Sequence, residues 1–267
     1  MTHAMLGATN VRLSRLGVGG HTFLSRYGGM DRADRQELIR IVETAISQGI
    51  NFFDVTWDEE REVFGSLVRE LGIRGRIFLS CWMSSQKTRT GTDVRAEAQR
   101  AVSLLGVDRV DLLYLDWTAT SEQLDAMMDL RKNGLTRFIG ILGTETAMAA
   151  NLQEVDAVLV NHNYYLRNKE SGILSLARAR PGLGIISLEP MGRGRFPSGS
   201  APAGVDMAVA SLKYALGFEA AHAVLVGVRR LAQLEQDIQV WKGDYGLSPG
   251  ERGALAAGLG YEIPSPA

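Results

Sequence analysis

The chain has 267 residues, 45% of them hydrophobic and 22% charged, with a formal net charge of -1. That balance is ordinary for a folded globular protein, and it excludes disorder and a basic surface for nucleic acid or an anionic membrane. One cysteine, Cys81, and four histidines exclude an intrachain disulfide, a multi-cysteine metal centre and a His-rich metal site.

No apolar run approaches the roughly 18 residues of a membrane span. Arg12 and Arg15 interrupt the segment Met1 to Gly17 where a signal peptide would carry an apolar core. The expectation is a cytoplasmic protein, monomer or homodimer, that meets a small-molecule substrate and neither nucleic acid nor membrane.

In chain order, short β-rich runs alternate with longer segments of helical period. Arg15 to Val18 is a short strand ending in Gly19-Gly20. Asp34 to Gln48 is a predicted helix, with Leu38, Ile39, Val42 and Ala45 on one stripe. Asn51 to Val55 is the next strand, followed by a helix from about Glu62 to Leu71. Ile77 to Trp82 precedes a helix over Asp93 to Leu105, and Val110 to Trp117 precedes one over Ser121 to Lys132. Phe138 to Leu142 is followed by a short helix, Thr144 to Leu152. Ala157 to Asn161 precedes Lys169 to Arg180, and Gly184 to Leu188 precedes Val205 to Leu216. Ala223 to Gly227 and Leu231 to Trp241 close the series.

Strands that are apolar throughout belong in a parallel sheet covered on both faces. About eight strand–helix units in this length predict an α/β fold, a (β/α)8 TIM barrel forming one domain over residues 1–267. An open doubly wound sheet would place a glycine-rich phosphate turn after its first strand. Gly19-Gly20-His21-Thr22-Phe23 is no such turn. Phe196 to Gly204, rich in Pro, Gly, Ser and Ala, is expected to be a mobile loop near the mouth.

Ligands of such barrels bind at the C-terminal ends of the strands. The residues there are His21; Asp54, followed by Trp57 and Asp58 to Glu60; Trp82; Asp116; Leu142; Asn161 to Tyr164; Glu189, with Arg193 and Arg195 beyond; and Arg229 with Arg230. A carboxylate at the end of a buried strand is partly desolvated, so it needs a partner or a raised pKa. Asp54, Asp116, Glu189 and Glu59 are therefore the candidate acids and bases. Each could instead cap a helix or pair with an arginine. Trp82, His162, Asn163, Leu142, Leu188 and His21 are candidate substrate contacts. Arg193, Arg229 and Arg230 lie in the corner where barrels of this type bind phosphate, and guanidinium forks match its oxygens. No tight ligand spacing supports a metal site.

These motifs resemble the aldo-keto reductase family over nearly the whole chain. Leu6-Gly7 with Val11 to Gly20 is similar to the family's opening segment. Gly49 to Asp54, with Glu62 and Gly65, resembles its "GinffDTA…E…G" stretch. Arg76 to Cys81 is similar to its third strand, and Leu104 to Leu115 to "LgvdyiDLy". Gly134 to Gly140, Pro190 to Gly194 and Val226 to Asp237 match three further segments. The resemblance implies NADPH-dependent carbonyl reduction with an Asp, a Tyr, a Lys and a His. Asp54 matches the Asp. The Tyr falls at about Asp58 or Glu59, the Lys on Trp82 and the His on Asp116.

The cofactor contacts that the resemblance implies also change. The amide-binding Ser-Asn pair falls on Leu142 and Gly143, the Gln on Leu159, the stacking Tyr on Leu188 and the terminal Asn on Asp237. Only Arg229 and Arg230 remain at the phosphate end. Losing one donor to a developing oxyanion costs roughly 3–4 kcal/mol. The expectation is thus a family barrel repurposed for redox-neutral acid–base chemistry, an elimination, isomerisation or cyclisation, with no cofactor. An NADPH-dependent oxidoreductase with an atypical site and a non-catalytic binding or regulatory protein are the alternatives.

Overall fold

The computed structural model describes residues 2–84, 87–143, 153–194 and 204–257. The predicted helix Thr144 to Leu152, Arg195 and nearly all of the loop Phe196 to Gly204 lie outside the described residues.

The chain opens with an antiparallel hairpin, β1 (His3–Met5) and β2 (Arg12–Ser14). The first barrel strand is β3 (Leu16–Val18). A second small hairpin follows, β4 (Arg26–Tyr27) and β5 (Met30–Asp31). Then come α1 (Arg35–Ser47), β6 (Phe52–Val55), α2 (Asp58–Leu71), β7 (Phe78–Trp82) and α3 (Gly91–Leu105). Next are β8 (Val110–Asp116), α4 (Ser121–Lys132), β9 (Thr136–Leu142), β10 (Ala157–Asn161) and α5 (Glu170–Ala179). The last are β11 (Gly184–Leu188), α6 (Met207–Gly217), β12 (Ala223–Val226), α7 (Leu231–Lys242) and α8 (Pro249–Ala256).

Strands β3, β6, β7, β8, β9, β10, β11 and β12 pair in that order, all parallel, and β12 returns to β3 to close the barrel. The fold is a (β/α)8 TIM barrel. Most predicted strand bounds hold within one or two residues. The two hairpins, α8 and the first turn of α2 are additions to the expected elements.

The alternation of the strands sorts their side chains into two cores. Phe52, Phe78, Leu112, Tyr114, Leu159, Ile186 and Leu225 cluster inside the barrel. Leu6 and Leu13 from the opening hairpin join them, so that hairpin plugs the N-terminal end. The intervening residues, such as Phe53, Leu79, Leu113, Ile139 and Val158, pack outward against the helices. Each such fully buried Leu, Ile, Val or Phe contributes about 1.5–3 kcal/mol relative to an exposed one.

Helix starts are fixed locally. Asp34 accepts from Glu37 N at 2.8 Å, and Thr90 and Asp93 cap α3 reciprocally. With the N-terminal end plugged, only the C-terminal mouth is left to receive a ligand. Among the described residues, no helix is long and apolar enough to cross a membrane.

Candidate active site

Asp54 is the third residue of β6 and points into the barrel between apolar layers, 3% exposed. Ser80 of β7 donates to its Oδ1 at 2.5 Å, and the Tyr114 hydroxyl of β8 donates to the same oxygen at 3.0 Å. All three sit on inward positions of adjacent strands. Burial raises the Asp54 carboxyl from its ordinary 3.8 to about 7. The Ser80 hydrogen bond opposes that shift, the charge of Glu60 adds to it, and Tyr114 and His21 lower it again. A carboxyl poised there can hold or release a proton at neutral pH. Burial and the neighbouring Asp54 charge push the Tyr114 phenol well above its ordinary value, so it stays a donor.

Above this layer lies the rim. Trp82 donates its indole N–H to Asp116 at 3.1 Å and meets Trp57 edge-on, with ring centres 5.4 Å apart. Leu142 and Leu188 are half-buried and pack on the barrel interior. Gly143 has φ 144°, and an added Cβ there would lie 2.8 Å from Trp117 Cβ, so only glycine lets Trp117 pack against the end of β9. Trp57 and Trp117 are exposed. The rim is thus indole-rich on the β6–β8 side and aliphatic on the β9–β11 side.

Beside Asp54 stands a cluster in which the sequence offered His21 as a substrate contact and Glu60 only as a rim position. An added Cβ on Gly19 would lie 2.9 Å from Asp54 Cβ, so the loop after β3 rests directly on the carboxylate's stem. His21, with φ +65°, places Nδ1 3.1 Å from Glu60 Oε2 and 3.1 Å from Thr56 Oγ1. The Thr56 hydroxyl in turn donates to Glu60. Glu60 is fully buried, and its Oε1 has no hydrogen-bond partner among the described residues. Burial pushes Glu60 up, but the hydrogen bond and charge of His21, together with Thr56 and the Trp57 amide, hold it below its ordinary value.

Several expected site residues are placed elsewhere. Glu59 is turned to the β4–β5 hairpin: it accepts from Ser25 N at 2.9 Å and pairs with Arg32 at 3.0 Å, tying the two ends of that hairpin together. The reason is that α2 begins at Asp58, so Glu59 and Glu60 point to different sides of the first turn. His162 is fully buried outside the barrel. Its Nε2 lies 2.9 Å from Glu170, and its ring stacks on Phe218 and Tyr214. Asn163 caps the following turn, accepting from Tyr165 N and Leu166 N, and donates to the Glu189 carbonyl. The hydrogen bonds shown for these three go to the scaffold.

Glu189 stays at the rim in a left-handed conformation, φ +56°, paired to Arg193 at 2.6 Å. The Glu189 hydrogen bond raises the Arg193 guanidinium further. Arg229 is buried and donates through Nη1 to Leu24 O at 2.6 Å. Its Nη2 is buried with no hydrogen-bond partner among the described residues. Burial and the charges of Arg32 and Arg230 pull it down against the opposing charge of Glu60. Arg230 donates to Asp31 O at 3.2 Å. The amides leading into α7 are taken, Arg229 N and Arg230 N by Gln233 Oε1, and so is the first amide of the helix, Leu231 N, by Glu37 Oε1. Cys81 is buried and faces the helices, and burial pushes its thiol up to about 11, so it is a packing residue. Among the described residues no group of three His, Cys, Asp or Glu is placed to hold a metal ion.

A closed parallel barrel with Asp54 under its C-terminal mouth defines the chain as a TIM barrel. It belongs to the aldo/keto reductase family, whose model matches residues 15–201. Among curated proteins it is 26% identical to a probable aldo-keto reductase 1 of Glycine max, over 72% of this chain and 60% of that protein. It is 24% identical to an L-galactose dehydrogenase of Arabidopsis thaliana, over 87% of this chain and 86% of that protein. Among solved structures, an aldo-keto reductase from Klebsiella pneumoniae in complex with NADPH superposes with a TM-score of 0.79 at 18% identity, covering 96% of this chain and 94% of that one. The holo form of an aldo-keto reductase from Bacillus halodurans gives 0.76 at 18% identity, covering 96% and 95%. At these identities the structural likeness concerns the fold.

Proposed function

We propose that the protein is an NADPH-dependent oxidoreductase of atypical site, acting on a small, partly apolar molecule, with Asp54 as a proton-carrying group. The observation that carries this reading is the Asp54 carboxyl: buried, raised to about 7 and held by Ser80 and Tyr114 under the mouth of a family barrel. Family membership and a dehydrogenase among the relatives favour redox chemistry over the cofactor-free expectation. The neighbour described as an NADPH complex supports the choice of cofactor.

The residues present fit one end of that cofactor. The orphaned, buried Nη2 of Arg229, with Arg32 and Arg230 near it, is a group an anion would satisfy. Arg193, Arg229 and Arg230 would hold the phosphates through side chains, because the amides of Arg229, Arg230 and Leu231 are already hydrogen-bonded. When bound, the nicotinamide supplies hydride. Leu142, Gly143, Leu159 and Leu188 offer its amide no polar side chain, and each unpaired polar group costs about 1–3 kcal/mol. Binding would therefore rest on the phosphate end.

The test is quenching of tryptophan fluorescence by NADPH, then by NADH, followed by cofactor oxidation with a panel of small aldehydes and ketones. Saturable quenching that weakens in Arg230→Ala, and oxidation that needs a carbonyl, support the reading. Its absence up to millimolar cofactor ends it. One observation favours a second reading: the same four apolar positions leave Asp54 in a mouth suited to redox-neutral proton transfer on an apolar substrate. Turnover with no nicotinamide present would select that reading.

A further inference from the structure

We propose that His21 is a second acid–base group of this site and that buried Glu60 is its positioning residue. The inference rests on the mouth being the active site, but not on which cofactor enters it.

Hydrogen-bond accounting assigns the proton on the ring. Thr56 Oγ1 spends its own proton on Glu60 Oε2, so toward His21 it can only accept. Glu60 Oε2 also accepts. Two acceptors facing Nδ1 require an N–H there. The neutral ring therefore carries its lone pair on Nε2. His21 is 21% exposed, and Nε2 makes no hydrogen bond among the described residues. One nitrogen anchored on a buried carboxylate and the other without a protein partner among the described residues, on a part-exposed ring, is the arrangement of an oriented general base.

The bland alternative is that His21 merely holds the loop after β3. The loop has other anchors. Thr22 Oγ1 donates to Gly19 O and accepts from Val228 N. Arg229 donates to Leu24 O, Arg32 to Phe23 O, and Glu59 holds Ser25. The loop does not need a histidine in a left-handed conformation, which side chains other than glycine adopt uncommonly. The strain is maintained by contacts that orient the ring: Glu60 and Thr56 on one nitrogen, and Tyr27 against its face at 4.4 Å. Strained, over-determined side chains of this kind cluster at functional sites.

The partners that face His21 are Glu60 from α2, Tyr27 from the β4–β5 hairpin, and Asp54 from β6, whose titration His21 lowers. In the step assigned to His21, an N–H bond forms at Nε2 as a substrate O–H or C–H bond breaks, and the electron pair stays on the substrate. The imidazolium so formed is balanced by Glu60. The reverse step delivers the proton, and exposure to water returns the ring to its starting state. Asp54, on the neighbouring strand, serves the other side of the substrate. None of the implied Asp, Tyr, Lys or His positions contains this pair.

The test uses diethyl pyrocarbonate, which acylates an open neutral imidazole nitrogen, on the folded full chain at neutral pH with peptide mapping by mass spectrometry. His21 is expected to react faster than His3, His162 and His222, and to slow severalfold in Glu60→Gln, whose amide can donate to Nδ1 and so releases the tautomer that leaves the lone pair on Nε2. The same preparations are assayed with p-nitrophenyl acetate, whose hydrolysis should fall in His21→Asn and persist in His162→Asn. Should Glu60→Gln fail to fold, Thr56→Val, which removes one of the two Nδ1 partners, must also slow the His21 reaction. A His21 that reacts no faster than buried His162, or one indifferent to a folded Glu60 or Thr56 variant, overturns the proposal. So does unchanged ester hydrolysis in His21→Asn. A positive result here with no NADPH binding would remove the cofactor reading and leave this pair standing.

Discussion

The two halves of the barrel mouth have opposite chemistry. On the side of β3, β6, β7 and β8 lie His21, Glu60, Asp54, Ser80 and Tyr114, all linked by hydrogen bonds or charge. On the side of β9, β10 and β11 lie Leu142, Gly143, Leu159 and Leu188. The first half can move protons, while the second can shape and exclude water. Burial inside the barrel is what raises Asp54 toward neutrality, and a low dielectric strengthens the hydrogen bonds around it.

The largest effect should follow from breaking the polar half at its centre. Asp54→Asn keeps the size of the side chain and its contacts with Ser80 and Tyr114 but cannot release a proton. Turnover in the carbonyl assay should fall about 100-fold or more, the range of a lost general acid–base group, with little change in NADPH quenching. A variant that keeps its rate would remove Asp54 from the chemistry.

The same carboxyl carries a stability signature. Asp54 and Asp237 are both raised from 3.8 to about 7, Asp237 by burial and then by the charge of Asp206. Between those limits the folded chain holds protons that the unfolded chain has released. Stability is therefore fully present below the unfolded values and is lost as pH rises through about 7. Thermal melts from pH 4 to pH 8 should show the decline. Asp54→Asn should melt higher than the parent at pH 8 and close to it at pH 4. Asp237→Asn should flatten the curve without touching turnover, separating a buried acid of the site from a buried acid of the scaffold.

His162 sharpens the comparison from outside the mouth. His162→Leu removes the hydrogen bond to Glu170 and the ring stacking on Tyr214 and Phe218, while Tyr214 still donates to Glu170. It should cost about 1–3 kcal/mol in urea unfolding and leave the turnover number unchanged. A fall in turnover that exceeds the fall in stability would return His162 to the site.

Much of this division was legible in the sequence, and the misplacements have a common origin. The strands were found because their apolar runs are uninterrupted, and Asp54, Trp82, Asp116 and Leu188 follow from strand ends alone. Reading only strand ends discards the alternation within them. Tyr114 shares a face with Leu112 and Asp116, and Ser80 with Trp82, so both could have been placed inside the barrel. By the same alternation His162 faces away once Asn161 faces in. Glu60 is spaced four and seven residues from Phe64 and Leu67, which marks it as part of the buried stripe of α2. It was missed because that helix was expected to begin at Glu62. The left-handed backbone of Glu189 has no signal in residue type, and that of His21 has only the weak one that histidine is enriched there.

The smallest effect comes from restoring polarity to the apolar half. Leu188→Tyr puts a ring and a hydroxyl at a half-buried rim position where the family resemblance expects an aromatic contact to nicotinamide. If NADPH enters this mouth held mainly by its phosphates, a stacking partner should tighten it by roughly 1 kcal/mol, about fivefold in the quenching constant. The gain should appear for NADPH and not for a probe that carries only the phosphate end, such as 2′,5′-ADP, because only the whole cofactor reaches β11. Equal tightening of both would place the effect on folding or loop order. No tightening of either, with the parent binding NADPH well, would mean that the nicotinamide does not lie against the aliphatic half. The mouth would then be shaped there for the substrate alone.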